Sequence, residues 1–130
     1  ERAAAAYEDV LRKEFGRADH VPAFDVVLLG LGPDGHTASL FPGTRALDES
    51  QHWVAANFVP KVSEWRLTLT LPVLNGARRA VFLVVGPDKT DAVAAVLRAE
   101  RGRASLPASL VRPPRGSLVW ILDEAAASSL

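Results

Sequence analysis

The chain has 130 residues, of which 48% are hydrophobic, and its 15 basic and 15 acidic residues cancel to a formal net charge of zero. This composition is sufficient for one packed domain, and the lack of a basic surplus argues against nucleic acid or an anionic membrane as a general partner. The chain contains no cysteine, which excludes disulfides and a cysteine nucleophile and favours a cytoplasmic location. No apolar run approaches the roughly 20 residues of a membrane span.

The first predicted element is an amphipathic helix over residues 3–15, with Tyr7, Val10, Leu11 and Phe15 on one face. The helix begins without a Ser, Thr, Asp or Asn cap, and the chain contains no methionine. We therefore expect a fragment or processed product whose natural sequence continues upstream, the alternative being removal of an initiator methionine.

The elements that follow alternate between strands and helices, which predicts an α/β fold with a mostly parallel, Rossmann-like sheet covered by helices on both faces. In chain order, the first half comprises a connection (16–22), a buried strand (24–29), a glycine loop and short helix (30–41), a strand (53–59) and a polar turn (60–64). A strand with Leu67, Leu69 and Leu71 on one face (66–71) follows, and then a helix begun by Pro72 and a buried strand (80–85). The last elements are a helix with Val93, Val96 and Leu97 inward (89–99), a loop (101–115), a buried strand (117–122) and an Ala-rich helix capped by Asp123.

The glycine loop is the most informative segment. Gly30, Gly32 and Gly35 follow a buried strand and match the spacing of a dinucleotide-binding loop. That interpretation is weak, because Pro33 removes an amide donor and Asp34 would place a carboxylate beside a pyrophosphate. The position itself, beyond the carboxyl end of a strand, is where ligands bind in open α/β sheets.

His36 is the candidate general base in this loop. If it begins a helix, the helix N-terminus helps to keep its imidazole neutral, as a general base requires. Asp34 would orient the ring or hold a substrate hydroxyl, or simply cap the helix. The spacing of the three histidines does not suggest a metal site.

Basic side chains are expected near the same sheet edge. Arg66 heads the alternating strand and Lys89 follows a strand-to-helix turn, and both suit an anion such as phosphate. Lys61, in the preceding turn, is a weaker candidate. The residues thus predict a small anionic substrate and either base-assisted water attack or proton transfer, without choosing between them.

Three segments resemble the 6-phosphogluconolactonases, of the glucosamine-6-phosphate isomerase/deaminase-like superfamily: GLGPDGHTASLFPGT (30–44), RLTLTLPVLNGAR (66–78) and FLVVGPDK (82–89). The pattern of residues 107–127 is similar too. Ala-Ser-Leu-Phe after the histidine favours the lactonases over the deaminases of that superfamily. The resemblance therefore implies hydrolysis of 6-phosphoglucono-δ-lactone in the pentose phosphate pathway, without metal or organic cofactor.

The resemblance also implies residue roles. His36 would accept the proton of the attacking water, with Asp34 in support. The backbone of Gly30, Gly32 and Gly35 would contact the substrate, and Arg66 and Lys89 would hold its phosphate or polar rim.

The family's N-terminal phosphate loop is absent from residues 1–130, which we expect to be the C-terminal portion of the fold. Three alternatives remain open: a deaminase or isomerase, a fragment that only binds sugar phosphate, and a module that self-associates through the sheet edge left open by truncation.

Overall fold

The computed structural model describes residues 1–16, 20–98 and 106–130. It confirms the α/β class. The helices are α1 (Arg2–Glu14), α2 (Leu71–Gly76) and α3 (Thr90–Leu97), and the strands are β1 (Val27–Leu29), β2 (Val54–Val59), β3 (Glu64–Leu69), β4 (Arg79–Val84) and β5 (Ser117–Leu122). Within the described ranges, no helix combines the length and apolar character needed to cross a bilayer. Parts of the predicted connection (16–22) and loop (101–115), and the predicted end of the helix at residue 99, lie outside the described residues.

A three-stranded parallel sheet with the order β1-β4-β5 forms the centre of the structure. Its inner face packs on the main core through alternate residues of the strands, such as Leu29 and Phe82. The Phe82 ring stacks on that of Trp120, with centroids 4.0 Å apart. Because the three strands run in parallel, the segments after β1 and β4 emerge at one edge, where ligands bind in such sheets.

The opposite face of this sheet is apolar and exposed, and we call it the open face. It is formed by Val26, Leu28, Leu83, Val85, Val119 and Ile121. The most exposed of them, Leu28, is 72% accessible. The prediction of a buried strand over 24–29 is therefore wrong for alternate residues, because Val26 and Leu28 lie on the open face.

Strands β2 and β3 form a separate antiparallel hairpin, with Val59 paired to Glu64 next to the turn. The alternation in RLTLTL correctly predicted a strand, but the two threonines on its polar face are buried. Thr68 is 4% exposed and Thr70 is fully buried, whereas Leu67 is 45% exposed. The burial is tolerated because both hydroxyls are hydrogen-bonded: Thr68 Oγ1 accepts from the Ser39 N–H, and Thr70 Oγ1 donates to the His52 carbonyl.

Helix α1 packs on this hairpin through Ala4, Glu8 and Leu11, not through the face expected from the sequence. Leu11 alone of the predicted apolar set is buried, and Tyr7 is 44% exposed. The inward position is occupied by Glu8, whose Oε2 accepts hydrogen bonds from the backbone N–H groups of Trp53 (2.8 Å) and Val54 (3.1 Å). A purely apolar periodicity cannot identify a buried carboxylate of this kind.

Two further expectations need correction. In α3, Val93 and Val96 are buried but Leu97 is 42% exposed. After β5 the chain forms turns instead of a continuous helix. Asp123 still accepts from the Ala126 N–H, as a capping residue would (2.8 Å), but its carboxylate also accepts from the Gly86 N–H after β4. The carboxylate is thereby shared between two chain segments, and the turn that follows does not propagate.

Candidate active site

The glycine loop leaves the carboxyl end of β1 and is closed by its own hydrogen bonds. The Gly32 N–H donates to the His36 carbonyl (2.8 Å), and the Gly35 N–H donates to the Gly32 carbonyl (2.9 Å). The Thr37 hydroxyl donates to the Gly30 carbonyl (2.8 Å). Because these amides are satisfied within the loop, it is a compact turn that projects the side chains at 34 and 36.

Two of the three glycines are required by this geometry. A Cβ on Gly32 would lie 2.0 Å from Nδ1 of His36, so any side chain there would displace the imidazole. Gly35 has a φ of +76°, and a Cβ there would also meet Leu106 at 2.7 Å. Gly30 is different, because a Cβ there would meet open space. Substrate binding by the three glycines stays a prediction.

His36 and Asp34 form the dyad of this site. Nδ1 of His36 lies 2.5 Å from Asp34 Oδ1, and the His36 N–H donates to the same oxygen (3.3 Å). The imidazole also stacks on Phe41, with centroids 3.9 Å apart and planes at 18°. An ionised Asp34 can only accept, which assigns the proton of the neutral imidazole to Nδ1 and leaves a lone pair on Nε2.

The predicted helix over residues 36–41 is absent. The segment forms turns with an isolated bridge between Thr37 and Leu40, and Ala38 adopts a φ of 50°. The Thr37 side chain is bound to the Gly30 carbonyl instead of capping a helix. No helix dipole therefore acts on His36; the Asp34 carboxylate and the Phe41 ring orient it instead.

The pKa of Asp34 is held well below its usual range. Burial alone would raise this pKa, but hydrogen bonds from Lys61 and His36 outweigh that effect. Lys61 Nζ lies 2.8 Å from Asp34 Oδ2, and the Asp34 side chain is 22% exposed. Asp34 is consequently a permanent anion at neutral pH, with one oxygen on the imidazole and the other on the ammonium.

The two cations favoured by the sequence have other partners. Arg66 Nη2 pairs with Glu64 Oε2 (2.6 Å) on the exposed part of β3. Lys89 Nζ pairs with Asp88 Oδ2 (2.9 Å) in the turn after β4. Lys89 follows β4, which pairs in parallel with β1, so it lies beyond the same end of the sheet as the dyad. Their role as anion ligands stays a prediction.

Sequence reasoning missed the hairpin's part in the site. Asn57 Nδ2 donates to the Ser39 carbonyl (2.8 Å) and the Thr44 hydroxyl (3.0 Å), and Thr68 accepts from the Ser39 N–H. These bonds hold the segment after His36 against the hairpin. The sequence shows the polar residues on these two strands, but it does not show which segment they bond to.

The residues described provide no cluster of three or more His, Cys, Asp or Glu side chains arranged to hold a metal ion. The dinucleotide interpretation also loses its basis. The amides of Gly32 and Gly35 are bonded within the loop, and the helix whose N-terminus would hold a pyrophosphate is absent.

The fold and the site define an α/β domain in which a carboxylate-oriented histidine lies beyond the carboxyl end of a parallel strand, the place where such domains bind ligands. Comparison with known proteins is more specific. Residues 1–120 match the family model of glucosamine-6-phosphate isomerases/6-phosphogluconolactonase, and the chain belongs to that family.

Individual relatives agree with this assignment. The chain is 47% identical to 6-phosphogluconolactonase of Rattus norvegicus and 46% identical to that of Homo sapiens, in each case over 100% of this chain and 50% of the relative. The structure of 6-phosphogluconolactonase from Trypanosoma cruzi superposes with a TM-score of 0.85 at 31% identity, covering 99% of this chain and 52% of that one. The chain thus spans about half the length of the curated relatives it matches.

Proposed function

We propose that this chain carries the general-base part of an active site that hydrolyses 6-phosphogluconolactone to 6-phosphogluconate, a step of the pentose phosphate pathway. The observation that carries the proposal is the 2.5 Å contact between His36 Nδ1 and Asp34 Oδ1. In a neutral imidazole this contact places the proton on Nδ1 and leaves the lone pair on Nε2, which is the tautomer a general base needs.

In the proposed reaction, Nε2 of His36 accepts a proton from water as the water oxygen adds to the lactone carbonyl carbon. Asp34 stabilises the imidazolium that results. The tetrahedral intermediate then collapses, the bond from this carbon to the ring oxygen breaks, and the imidazolium returns its proton to that oxygen. A lactone is an activated ester, so these steps require neither a metal nor an organic cofactor.

The substrate's phosphate needs a cation, and the proposal assigns this role to Arg66 and Lys89. Lys89 is supported by its place after β4, next to β1. Arg66 is supported by the register of the hairpin, which puts it opposite Asn57, a residue that bonds the segment after His36. The amides of Gly32 and Gly35 are bonded within the loop, so they would stabilise an oxyanion only if the turn opened.

The proposal also includes which part of the fold this chain forms. We propose that residues 1–130 are the C-terminal portion of the lactonase fold and that the open face is covered by a polypeptide equivalent to the part of the relatives that this chain does not match. Two observations support this occupant. The open face is apolar, and the relatives are about twice as long as this chain. Contiguous apolar faces are rarely left exposed to water on monomeric soluble proteins.

The test measures lactone hydrolysis above the spontaneous rate, for the chain alone and mixed with the unmatched segment of the rat relative. His36→Gln is compared with His20→Gln, an exposed histidine in a connection. Activity that His36→Gln abolishes and His20→Gln retains supports the proposal. Equal activity in both variants refutes His36 as the base. A folded mixture with no activity refutes the assignment of the chain to a lactone-hydrolysing site.

A second candidate is a glucosamine-6-phosphate isomerase or deaminase, because the matching family model includes that activity. Ammonia released from glucosamine 6-phosphate by the same mixture would favour it, and absence of release would eliminate it. Binding of 6-phosphogluconate without turnover would instead favour a fragment that only binds sugar phosphate.

Self-association is the expected fate of the chain without a covering partner, through the open face or the exposed edges of β1 and β5. Light scattering tests this directly. The cytoplasmic location expected from the composition stays a prediction.

A further inference from the structure

A turn over Pro107–Leu110, which we call the 107–110 turn, packs against the glycine loop. The Ala108 N–H donates to the Gly35 carbonyl (3.0 Å). Leu106, just before the turn, lies so close that a Cβ on Gly35 would come within 2.7 Å of its side chain. Ala108 is only 1% exposed, so water does not compete for its bond while the turn is in place. The turn therefore contacts the loop at the residue between the two members of the dyad.

The bond from Ala108 fixes the orientation of one peptide unit of the site. The Gly35 carbonyl and the His36 N–H belong to the same planar trans peptide, so they point in opposite directions. The carbonyl is held by Ala108, and the N–H on the other side donates to Asp34 Oδ1 (3.3 Å). A rotation of this peptide would break both bonds, and glycine, which has no Cβ, does little to hinder it. The bond from Ala108 thus keeps the His36 N–H on the carboxylate that orients the imidazole.

The turn that contacts the loop is itself held by the side chain of Asn75, near the end of α2. Asn75 Nδ2 donates to the Leu110 carbonyl (3.1 Å), and Oδ1 accepts from the Arg112 N–H (2.6 Å). Val111, between these two groups, is fully buried, and its N–H closes the turn by donating to the Ala108 carbonyl (3.3 Å). Asn75 is therefore bonded on both sides of the residue that closes the turn.

Apolar packing alone would not set the orientation of this turn. Ala108 and Val111 lie in the main core, but burial of apolar atoms is not directional. Among the described residues, the hydrogen bonds that tie residues 106–112 to other segments are those with Asn75 and Gly35. Because Gly35 is the residue to be positioned, Asn75 supplies the directional restraint on the turn.

We propose that Asn75 is a positioning residue of the dyad: it holds the 107–110 turn so that Ala108 locks the Gly35–His36 peptide with its N–H on Asp34. The inference rests on the proposed function for its effect on catalysis. When the lock is released, the peptide rotates and the imidazole loses its fixed position relative to the carbonyl carbon of a bound lactone. Proton transfer from water then slows, while the groups assigned to the phosphate are not displaced.

The test compares the local stability of the turn with that of the whole fold, by NMR-detected hydrogen–deuterium exchange of the backbone amides. Asn75→Ala removes both bonds to the turn, and because alanine favours helix, a loss of protection cannot come from unwinding of α2. Asn75→Asp keeps the acceptor for the Arg112 N–H but places a carboxylate oxygen against the Leu110 carbonyl. Glu8→Gln, which removes the bonds from Arg12 in α1, is the control for a general loss of stability.

In both Asn75 variants, exchange at Ala108 should accelerate roughly tenfold more than exchange at Phe82, because the turn loses hydrogen bonds and opens without global unfolding. Phe82 lies in β4, the central strand of the parallel sheet, and reports on the whole fold. In Glu8→Gln the two amides should accelerate by the same factor. The His36 N–H resonance should move in the Asn75 variants and stay in place in the control.

The effect on catalysis is measured in the mixture with the unmatched segment of the rat relative. Asn75→Ala should lower kcat roughly ten- to 100-fold, the scale of loss for a base displaced by about 1 Å, and should leave KM unchanged. Glu8→Gln should retain both parent values under conditions in which the three proteins are folded.

Two results overturn the inference. If Ala108 and Phe82 accelerate by one common factor in the Asn75 variants, Asn75 has only a general structural role. If Ala108 loses protection while the His36 N–H resonance and kcat stay unchanged, the turn does not position the dyad. A parent mixture that hydrolyses no lactone refutes the proposed function instead, and the exchange rates and the His36 resonance still decide whether the turn locks the peptide.

Discussion

Glu8 provides the sharpest test of how α1 is attached to the rest of the molecule. Its side chain is 9% exposed and accepts four hydrogen bonds, two from the backbone at the start of β2 and two from Arg12 at 3.0 and 2.7 Å. Glu8→Ala leaves the N–H groups of Trp53 and Val54 buried without acceptors. At about 1–3 kcal/mol for each unsatisfied group, we expect a loss of about 3–4 kcal/mol.

Glu8→Gln separates the two sets of bonds. Its amide oxygen can keep both backbone bonds, whereas its NH2 group cannot accept from Arg12. Because the Arg12 side chain is 35% exposed, water replaces part of what is lost, and we expect a cost of about 1–2 kcal/mol. Glu14→Gln and Glu14→Ala, at the exposed last residue of α1, are the matched controls.

The assay is urea unfolding followed by tryptophan fluorescence. Trp53 is a suitable reporter because its ring lies 4.3 Å below the Arg12 guanidinium. With an m-value of about 2 kcal/mol/M, Glu8→Ala should lower the midpoint by roughly 1.5–2 M at unchanged m. If Glu8→Ala costs no more than Glu14→Ala, the backbone bonds do not stabilise the fold and the reasoning is refuted.

Four further predictions address pH, the loop, the stacking ring and the open face. Burial would raise the pKa of Glu8, but the hydrogen bonds from Arg12 and the β2 backbone outweigh that effect and lower it. The ionised Glu8 therefore stabilises the fold fully above the unfolded pKa, and this stabilisation is lost as the pH falls. The difference in free energy of unfolding between the parent and Glu8→Gln should narrow below about pH 4.5 in acid-unfolding curves. Gly32→Ala should reduce lactone hydrolysis at least 100-fold, because the new Cβ would displace the His36 imidazole, and activity equal to that of the parent would contradict this geometry. Phe41→Leu should move the His36 Hε1 resonance downfield by removal of the ring current, and an unchanged shift would exclude stacking in solution. Leu83→Lys, at a position 55% exposed on the open face, should lower the average mass in light scattering without lowering the urea midpoint, and equal masses for parent and variant would argue against association through this face.

Local patterns were sufficient to predict most elements. The strands around residues 27–29, 54–59, 64–69, 79–84 and 117–122 follow from short apolar or alternating runs between glycines and prolines. The glycine loop with Asp34 and His36 was recognised because its residues lie close together in the sequence. The same locality explains the successful prediction of α2, which has Pro72 in its first turn.

The errors concern contacts between distant segments. No local signal shows that Glu8 faces the start of β2, that Thr68 is buried against Ser39, or that Lys61 reaches Asp34 across the hairpin. The predicted helix after the loop failed for a related reason. Its composition permits a helix, but hydrogen bonds from Thr37 to Gly30 and from Asn57 to Ser39 favour turns.

The strand order has a consequence for the order of folding. The hairpin joins neighbours in sequence, with Val59 beside Glu64, whereas the parallel sheet must bring Val27 to Ala80 and Arg79 to Ser117. Closing such long loops costs entropy before any contact compensates for it, so the hairpin should form early and the parallel sheet late. The contact between Lys61 and Asp34 joins the two sheets. It should therefore appear only when the hairpin docks on the strand that carries the loop, which makes the completed site a marker of the last folding step.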